Sequence, residues 1–395
     1  MLDANDPQRT IFFAAFEPSG DVLAARLIEE LKRRDPSLRF TGFGGPKMQA
    51  AGAELIEVTT EHATIALGIL GEVKTHLGRL KVMDKYLAQN EIAALVPVDS
   101  PAANWSVCKR VRKHQPKAKI VHLVCPQIWG WATWRVRRLR KLSDKVLCLL
   151  PFEPGWLDER GVPGVFVGHP VFEDVSKELG TPIAEDLPKA EEQGAVKLAM
   201  MPGSRSSELK NNWPMMLDVF SHLKRECPAL VGVVAARQAS DERVLKEISG
   251  ERTWPEDLHV VGGRTPEVLR WADCALVKSG TSTLQVASLL RPMVTFYNGK
   301  KWQWHLLGRW LIKTRTFALP NVISEWQDGR RVVPEFVPHF GDPEPIAHEL
   351  TRLVTEDEVM EQQLNGLKRV AEPFATVTFK DAAAEAFLAE ISEPR

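Results

Sequence analysis

The sequence lacks the features that mark several protein classes. Its five cysteines are odd in number and form no Cys-x-x-Cys pair, which argues against a zinc ribbon and against a disulfide framework. No apolar run approaches the ~18 residues of a membrane-spanning helix, and the first residues lack the pattern of a signal peptide. Lysine plus arginine equals aspartate plus glutamate at 51 each, so no overall field attracts nucleic acid. We therefore expect a cytoplasmic protein that does not bind nucleic acid.

What the chain does contain is enough length for two domains. Its 395 residues exceed the ~250–300 at which one hydrophobic core stops growing. Short apolar runs alternate with amphipathic stretches, which predicts an α/β protein with parallel sheets covered on both faces. Because this rhythm occurs twice, we predict two Rossmann-like, doubly wound domains facing a cleft. The predicted segments are a first domain over 1–170, a linker over 171–195, a second domain over 196–344 and a helical tail over 345–395 that packs across both domains.

The predicted strands show where a ligand would bind. In doubly wound sheets, ligands bind outside the carboxyl ends of the strands, so the loops that follow them hold the candidate residues. The strands predicted in the first domain are Ile11–Phe16, Arg39–Phe43, Ala94–Val98, Lys119–Val124 and Lys145–Leu149. Those predicted in the second domain are Val196–Met201, Leu230–Ala235, Leu258–Val261, Cys274–Val277 and Met293–Tyr297.

Two loops of the first domain carry candidate site residues. The segment Glu17-Pro18-Ser19-Gly20-Asp21 follows the first strand and opens a helix, where N–H groups suit an anion or a sugar hydroxyl. A helix cap made by its serine or aspartate explains the same segment equally well. Asp99 follows the third strand, and a carboxylate there could accept a proton from an attacking hydroxyl. An Asx-turn before Pro101 is the alternative.

Two loops of the second domain suit a phosphate. Gly203 and Ser204 let a ligand approach the backbone, and Arg205 can hold a phosphate through two hydrogen bonds. A surface arginine after a capped turn is the alternative. The segment Ser279-Gly280-Thr281 also opens a helix, so its hydroxyl and N–H groups suit a diphosphate. Neither loop is accompanied by an Asp-x-Asp pair or a P-loop sequence, so Arg205 and helix dipoles would take the place of a metal.

In these loops the chain resembles the lipid-A-disaccharide synthase family, inverting glycosyltransferases of the two-Rossmann GT-B type. The resemblance spans nearly the whole chain, and its motifs occur in one order. They are Glu17–Asp21, Gly44-Gly45-Pro46, Gly71-Glu72-Val73, Val98–Pro101, Asn104, Pro126, Trp129, Trp131, Leu150–Glu153, Gly168-His169-Pro170, Pro202–Arg205, Ser279–Thr281, Leu319–Asn321 and Val333–Glu335.

The resemblance implies a reaction and a set of site residues. The reaction is transfer of 2,3-diacylglucosamine from its UDP conjugate to the 6-hydroxyl of 2,3-diacylglucosamine 1-phosphate, which gives a β-1,6 disaccharide phosphate and UDP. No cofactor and no metal are implied. By position, Asp99 becomes the general base, with Glu17 and Ser19 on the acceptor side. The residues implied to bind the UDP donor are Gly203, Ser204, Arg205, Ser279, Gly280, Thr281, Gln285 and Asn321.

Four positions depart from the family pattern. Pro18 stands in place of a threonine, Ala102 in place of a carboxylate, Ala132 in place of an arginine and Gln285 in place of a glutamate. In GT-B enzymes that glutamate accepts hydrogen bonds from the ribose hydroxyls, and a glutamine still offers one acceptor oxygen at a cost of ~1 kcal/mol. The departures at Gln285 and Ala102 motivate a first alternative, a diverged transferase that uses another UDP-sugar.

Two further alternatives share this architecture. A UDP-sugar 2-epimerase-like enzyme predicts several ionisable groups around the sugar carbon, and the identified loops offer Asp99 without such a cluster. A binding protein on a decayed transferase scaffold is disfavoured by the retention of Asp99, Arg205 and Ser279.

The acyl chains of the implied substrates predict contact with a membrane surface. An apolar run lies within 65–70, and the segment 302–313 mixes tryptophans with basic residues, as interfacial helices do. The basic run Arg135–Lys141 suits anionic headgroups. Core helices and a solvated basic face are the alternatives. The contact residues we predict are Ile65, Leu67, Ile69, Trp302, Trp304 and Trp310. We expect peripheral association with the inner leaflet of the cytoplasmic membrane, and a homodimer.

Overall fold

The computed structural model describes residues 10–60, 69–178, 180–183, 186–189, 194–299 and 316–392. The chain divides into two compact units. The first unit contains Met1–Pro170 together with Val377–Arg395, and the second contains Val171–Thr376. Among the described residues, no helix is long and apolar enough to cross a membrane.

The first unit is built on a seven-stranded parallel sheet with the order β3-β2-β1-β4-β5-β6-β7. Its strands are β1 (Thr10–Ala15), β2 (Arg39–Gly44), β3 (Glu54–Val58), β4 (Ala94–Val98), β5 (Lys119–Leu123), β6 (Lys145–Cys148) and β7 (Gly164–Phe166). Its helices up to residue 158 are α1 (Pro18–Arg34), α2 (Pro46–Ala51), α3 (Ile69–Gln89), α4 (Pro101–His114), α5 (Val136–Leu142) and α6 (Glu153–Asp158).

The middle of this sheet is buried on both faces. Every residue of β1 from Ile11 to Ala15 is fully buried. Successive side chains of the strand point alternately into two cores, with Phe13 in one and Phe12 in the other. The strand order reverses between β1 and β4, because β2 and β3 lie on one side and β5 to β7 on the other. Connections that leave in opposite directions open a crevice at the carboxyl ends of β1 and β4.

The second unit contains a six-stranded parallel sheet with the order β10-β9-β8-β11-β12-β13. Its strands are β8 (Val196–Met201), β9 (Leu230–Ala236), β10 (Leu258–Gly262), β11 (Cys274–Lys278), β12 (Met293–Asn298) and β13 (Glu335–His339). Its helices are α7 (Pro170–Glu178), α8 (Ser206–Glu226), α9 (Asp241–Ser249), α10 (Thr265–Trp271), α11 (Ser282–Ser288), α12 (Leu319–Asp328), α13 (Glu344–Thr355) and α14 (Asp357–Ala371).

This sheet repeats the topology of the first one. Its order reverses between β8 and β11, so the carboxyl ends of these two strands form the second switch point. The interval 171–195, interpreted from the sequence as a linker, begins inside helix α7 and belongs to the second unit.

The helical tail is divided between the two units. Helices α13 and α14 lie in the second unit, whereas the last helix, α15 (Phe379–Ser392), belongs to the first. Phe379, Ala383 and Phe387 are fully buried in a core of the first unit. The Lys119 ammonium pairs with the Glu390 carboxylate at 2.8 Å in an almost fully buried position. Helix α15, the last part of the tail, therefore completes the first unit.

Candidate active site

The two candidate loops of the first unit meet at its switch point. Strands β1 and β4 are paired with Ala15 opposite Val98, so the residues that follow them lie at one edge of the sheet. There the Ser100 hydroxyl donates a hydrogen bond to Oε1 of Glu17 at 3.1 Å. This bond joins the Glu17 segment to the Asp99 turn.

The backbone of the Asp99 turn is held in a rare conformation. Asp99 and Ser100 have φ values of 43° and 41°, in the left-handed region, which costs of order 1–3 kcal/mol for each residue other than glycine. The fully buried Asn104 amide holds the turn, because its Nδ2 donates to the carbonyl oxygens of Val98 at 3.1 Å and of Asp99 at 2.7 Å. The Asp99 N–H donates to the Leu123 carbonyl at 3.1 Å. The carboxylate of Asp99 is thus presented from a fixed, strained turn.

Burial and a neighbouring charge make Asp99 a stronger base than an exposed aspartate. Burial raises the pKa of Asp99, and the negative charge of Glu17 raises it further, while the N–H of Ser100 opposes both. Asp99 itself is half-buried. A carboxylate of raised pKa in reach of a ligand is suited to accept a proton.

Glu153 is a third carboxylate of this edge, and the sequence showed it only as part of a family motif. It is the first residue of α6, after the short loop that follows β6, and it is buried. Its Oε1 accepts the indole N–H of Trp129 at 3.0 Å, and its Oε2 accepts the N–H of Leu150 at 3.0 Å. Burial raises the pKa of Glu153 to about 8 against these two hydrogen bonds, and the charge of Asp99 adds to the rise. Glu153 therefore ties the loop after β5 to the loop after β6.

One group of side chains in the described part of the chain has the spacing of a metal site. Ligand atoms of Cys125, Cys148 and Glu153 all lie within 4.8 Å of one another. Both Glu153 oxygens already accept hydrogen bonds. Hydrogen bonding to Cys148, together with burial, raises the pKa of the Cys125 thiol, and burial raises that of Cys148. Since a metal needs deprotonated thiolates, these contacts favour a buried cluster of neutral thiols.

The remaining residues of the first loop have separate roles. Ser19 is exposed in the first turn of α1. Asp21 is buried, and its carboxylate accepts N–H groups from Gly45 at 2.9 Å, Lys47 at 3.0 Å and Met48 at 2.9 Å. Asp21 therefore fixes the start of α2, which gives the Gly44-Gly45-Pro46 motif a structural explanation.

The two phosphate-type loops meet in the same way at the switch point of the second unit. Strands β8 and β11 are paired with Met201 opposite Val277. Gly203 has a φ of 110° and Gly280 a φ of 150°, a range that favours glycine. The remaining loop residues differ in exposure, since Ser279 is buried while Ser204 and Thr281 are exposed. The loops that sequence reasoning assigned to one donor site are therefore neighbours.

Two charged residues of this edge were missed from the sequence. The Nζ of Lys278 lies 3.0 Å from Oε1 of Glu208, which links the end of β11 to the first turn of α8. Oε2 of Glu208 accepts the N–H of Ser204 at 3.2 Å. The Arg205 guanidinium, 69% exposed, lies 3.5 Å from Oε1. Burial raises the pKa of Glu208, but the hydrogen bond and charge of Lys278 and the N–H groups of Ser204 and Arg205 together outweigh it, so the net effect is a lowered pKa.

Asn321 and Gln285 stay predictions as donor contacts. The buried Asn321 amide donates to the Val333 carbonyl at 2.9 Å and to the Glu335 carboxylate at 3.0 Å, and its oxygen accepts the N–H groups of Val332 and Val333 at 2.8 Å. These four bonds favour a structural role for Asn321, since a donor contact would have to replace one of them. Gln285 is half-buried in α11.

Most of the predicted membrane contacts lie outside the residues that the structure describes. Ile65, Leu67, Trp302, Trp304 and Trp310 lie outside the described residues, and Ile69 begins α3 with its side chain outside them as well. The described part of the chain does contain exposed tryptophans beside arginines. Their side chains form cation–π contacts, which join Arg135 to Trp131 at 4.2 Å and Arg138 to Trp134 at 5.4 Å.

Comparison with known proteins identifies the family. A sequence profile described as lipid-A-disaccharide synthetase matches residues 11–387. The lipid-A-disaccharide synthase of Anaeromyxobacter dehalogenans strain 2CP-C is 35% identical over 366 residues, which cover 91% of this chain and 92% of the relative. The enzyme of the same name from Pseudomonas putida strain KT2440 is 30% identical and covers 98% of this chain and 99% of its own.

Solved structures show the same fold at lower identity. The calicheamicin glycosyltransferase is 18% identical with a TM-score of 0.59, over 98% of this chain and 99% of its own. The UDP-GlcNAc 2-epimerase of Neisseria meningitidis, bound to UDP-GlcNAc, is 11% identical with a TM-score of 0.61, over 97% of this chain and 99% of its own. These likenesses concern the fold alone, an α/β architecture of the GT-B type. The sequence matches go further, and the chain belongs to the lipid-A-disaccharide synthase family.

Proposed function

We propose that this protein transfers 2,3-diacylglucosamine from its UDP conjugate to the 6-hydroxyl of 2,3-diacylglucosamine 1-phosphate, with Asp99 as the general base. Family membership supports the reaction. The observation that carries the assignment of the base is the Asp99 turn. It presents a carboxylate of raised pKa at a switch point, on a strained backbone held by Asn104.

The chemistry proposed for the first unit is one proton transfer coupled to one displacement. The acceptor oxygen forms a bond to C1 of the donor sugar while the bond from C1 to the diphosphate oxygen breaks. Asp99 takes the proton of the acceptor hydroxyl, and the electron pair of the broken bond leaves with UDP. A single displacement inverts C1, in agreement with a β-linked product. Glu17 holds the Asp99 turn by accepting the Ser100 hydroxyl, and its charge raises the pKa of Asp99. Ser19, in the same loop as Glu17, contributes to the acceptor side.

The proposed task of the second unit is to hold the donor and stabilise the leaving diphosphate. Arg205 and the N–H groups of the Gly203-Ser204 turn offer positive charge and hydrogen bonds, and Ser279, Gly280 and Thr281 add the neighbouring loop. Fixed donors and cations of this kind can stabilise developing negative charge without reorganising during the reaction. The side-chain amide oxygen of Gln285 accepts a hydrogen bond from a ribose hydroxyl of the donor. We expect the reaction to need no metal and no cofactor.

Peripheral attachment to the inner leaflet of the cytoplasmic membrane is the proposed location. It is supported by the acyl chains of the proposed substrates and by the exposed Trp131 and Trp134 with their arginine partners. Sedimentation with vesicles checks it. We expect binding to vesicles that contain anionic lipid and release at high salt, and no binding to these vesicles at low salt would contradict the proposal. The homodimer stays a prediction.

The experiment that tests the proposed function follows two products at once. The purified protein is incubated with both proposed substrates in detergent micelles and EDTA, while UDP release and disaccharide formation are measured. Asp99→Asn is compared with Asp158→Asn, a matched change at an exposed aspartate of α6 in the same unit. We expect the disaccharide from the wild type and from Asp158→Asn, and its loss in Asp99→Asn.

The other outcomes separate the alternatives. UDP binding without disaccharide would contradict the proposed acceptor or acyl-sugar. Conversion of a UDP-sugar to its epimer without UDP release would indicate a 2-epimerase. Full turnover in Asp99→Asn would contradict the assignment of the base.

A further inference from the structure

At the two phosphate-type loops of the second unit lies a carboxylate of the protein itself, that of Glu208. Oε2 of Glu208 accepts the N–H groups of Ser204 at 3.2 Å and of Arg205 at 3.5 Å. Its Oε1 lies 3.0 Å from Nζ of Lys278 and 3.5 Å from Nη1 of Arg205. One carboxylate therefore uses N–H groups and a cation, Arg205, that the sequence assigned to a phosphate, together with Lys278, which the sequence did not indicate.

The shape of the loop fits this anion. A Cβ atom at Gly203 would lie 2.6 Å from Oε2 of Glu208, so the absence of a side chain there leaves room for the oxygen. The side chains of Glu208 and Lys278 are only 12% and 16% exposed. Lys278 is therefore a fixed and largely desolvated cation, one residue before the Ser279-Gly280-Thr281 loop.

We propose that Lys278 is a further donor-binding residue, and that Glu208 is the resident anion of the donor phosphate site. On binding, the diphosphate replaces the Glu208 carboxylate at Lys278 and at the N–H groups of Ser204 and Arg205. This inference rests on the proposed function, because it takes the donor to be a UDP-sugar.

Charge explains why the two anions exchange. A diphosphate that entered beside an unmoved Glu208 would place like charges on the same hydrogen-bond donors, at a few ångströms and in a partly buried site. Lys278 and Arg205 together offset the diphosphate best once the carboxylate has moved away. The cost of removing Glu208 from Lys278 is then recovered by the stronger charge of the ligand.

A capping box is the simpler explanation of part of this geometry. Glu208 is the third residue of α8, and its bond to the Arg205 N–H is what such a cap requires. The cap does not explain the ion pair with Lys278, which comes from the neighbouring strand of the sheet. If Glu208 acted only as a cap, its replacement would lower the melting temperature without tightening the binding of an anion.

The test compares how variants of the full chain bind UDP, by isothermal titration calorimetry with melting temperatures as a check on folding. We expect Lys278→Met to raise the Kd of UDP by about tenfold, and Lys278→Arg to stay within about threefold of the wild type because the charge remains. Glu208→Gln removes the competing charge but keeps an acceptor oxygen, so we expect it to bind UDP about threefold more tightly or better. Inorganic pyrophosphate should follow the same order.

Lys224→Met provides the matched control. Lys224 is ion-paired to Asp257 and lies near the other end of α8, about 24 Å from Glu208 by the rise of 1.5 Å per residue. The variant Lys224→Met should leave the Kd of UDP unchanged. If Lys278→Met does not fold, Lys278→Gln replaces it.

Three results would overturn parts of the account, and they are distinguishable. A wild type that does not bind UDP would overturn the proposed function itself. Unchanged UDP affinity in a folded Lys278→Met would remove Lys278 from the donor site. Weaker binding in a folded Glu208→Gln would show that the carboxylate supports the site and does not compete for it.

Discussion

Two loop clusters occupy the same place in two sheets of similar topology, yet they carry opposite charge. In the first unit, the segments after β1, β4 and β6 hold the acidic side chains of Glu17, Asp99 and Glu153, of which Glu153 keeps its proton up to about pH 8. In the second unit, the loop after β8 and the end of β11 place Arg205 and Lys278 around one carboxylate, that of Glu208. The pKa values of Asp99 and Glu153 are raised, whereas the pKa of Glu208 is lowered.

The difference separates what the fold contributes from what the side chains contribute. A doubly wound sheet brings loops together at its switch point in both units. A carboxylate whose pKa is raised by burial, and further by a neighbouring carboxylate, is then prepared to take a proton, while a carboxylate between cations marks a place for an anion. We therefore expect changes in the first cluster to affect turnover and its pH dependence, and changes in the second to affect donor binding.

Among residues that position a site residue, the largest predicted effect is that of Asn104→Ala. It removes both hydrogen bonds that hold the carbonyl oxygens of Val98 and Asp99. A displacement of the base by about 1 Å costs on the order of a hundredfold in rate, so we expect kcat to fall by about that factor while the Kd of UDP stays unchanged. Steady-state kinetics and calorimetry check it. Loss of UDP binding in a folded variant would contradict the separation of the two clusters.

Arg205→Ala should instead weaken the binding of UDP. Hydrogen bonds to charged groups contribute about 1.5–3 kcal/mol, so we expect the Kd of UDP to rise by at least about tenfold. Arg243→Ala, at an exposed arginine of α9 in the same unit, is the matched control. UDP titrations compare the two variants, and equal affinities would contradict the donor assignment of Arg205.

Glu17→Gln should shift the pH dependence of turnover. The Glu17 charge raises the pKa of Asp99, after the larger effect of burial, so its removal lowers that pKa. The base then stays ionised at lower pH, and the acidic limb of kcat/KM moves to lower pH. The glutamine oxygen can still accept the Ser100 hydroxyl. Glu29→Gln, at an exposed glutamate of α1, should leave the profile unchanged. An unmoved or upward-shifted limb would count against the charge effect.

The smallest expected effect is on the pH dependence of stability through Glu153. Its pKa rises from 4.5 to about 8 on folding, so between these values the folded state keeps a proton that the unfolded state has lost. This contribution is present below pH 4.5 and is lost as the pH rises towards 8. Glu153→Gln abolishes it. The melting temperature of the wild type should therefore exceed that of the variant by more at pH 5.5 than at pH 7.5.

An exposed glutamate provides the control for that measurement. Glu159→Gln, six residues further along the chain, should show the same difference from the wild type at both pH values. A difference between wild type and Glu153→Gln that grows with pH would contradict the raised pKa.

The sequence predicted the centres of both sheets better than their edges. Central strands such as β1 and β4 are continuous apolar runs, because a parallel sheet buries both of its faces. The strands that were missed, β3, β7 and β13, are edge strands, and none of their residues is buried. They do not carry the apolar run that identified the others.

The candidate site could be predicted where its residues are consecutive in the chain. The Asp99 and Arg205 loops each follow a recognisable strand. The pairing of Lys278 with Glu208 joins residues 70 apart, and it depends on β8 and β11 being neighbours. Nothing local to either residue indicates that contact. Asn321 is the opposite case. The family motif implied a donor contact, and the structure shows its amide hydrogen-bonded to Val333 and Glu335 of the same unit.

The division of labour between the clusters is tested most directly by measuring two quantities on two variants. The rate of disaccharide formation at saturating donor and the Kd of UDP are determined for Asp99→Asn and for Arg205→Ala. We predict that Asp99→Asn loses turnover by about a hundredfold or more while it binds UDP as the wild type does, and that Arg205→Ala binds UDP more weakly. Turnover at the wild-type rate in Asp99→Asn, or UDP binding lost in Asp99→Asn and kept in Arg205→Ala, would contradict the account.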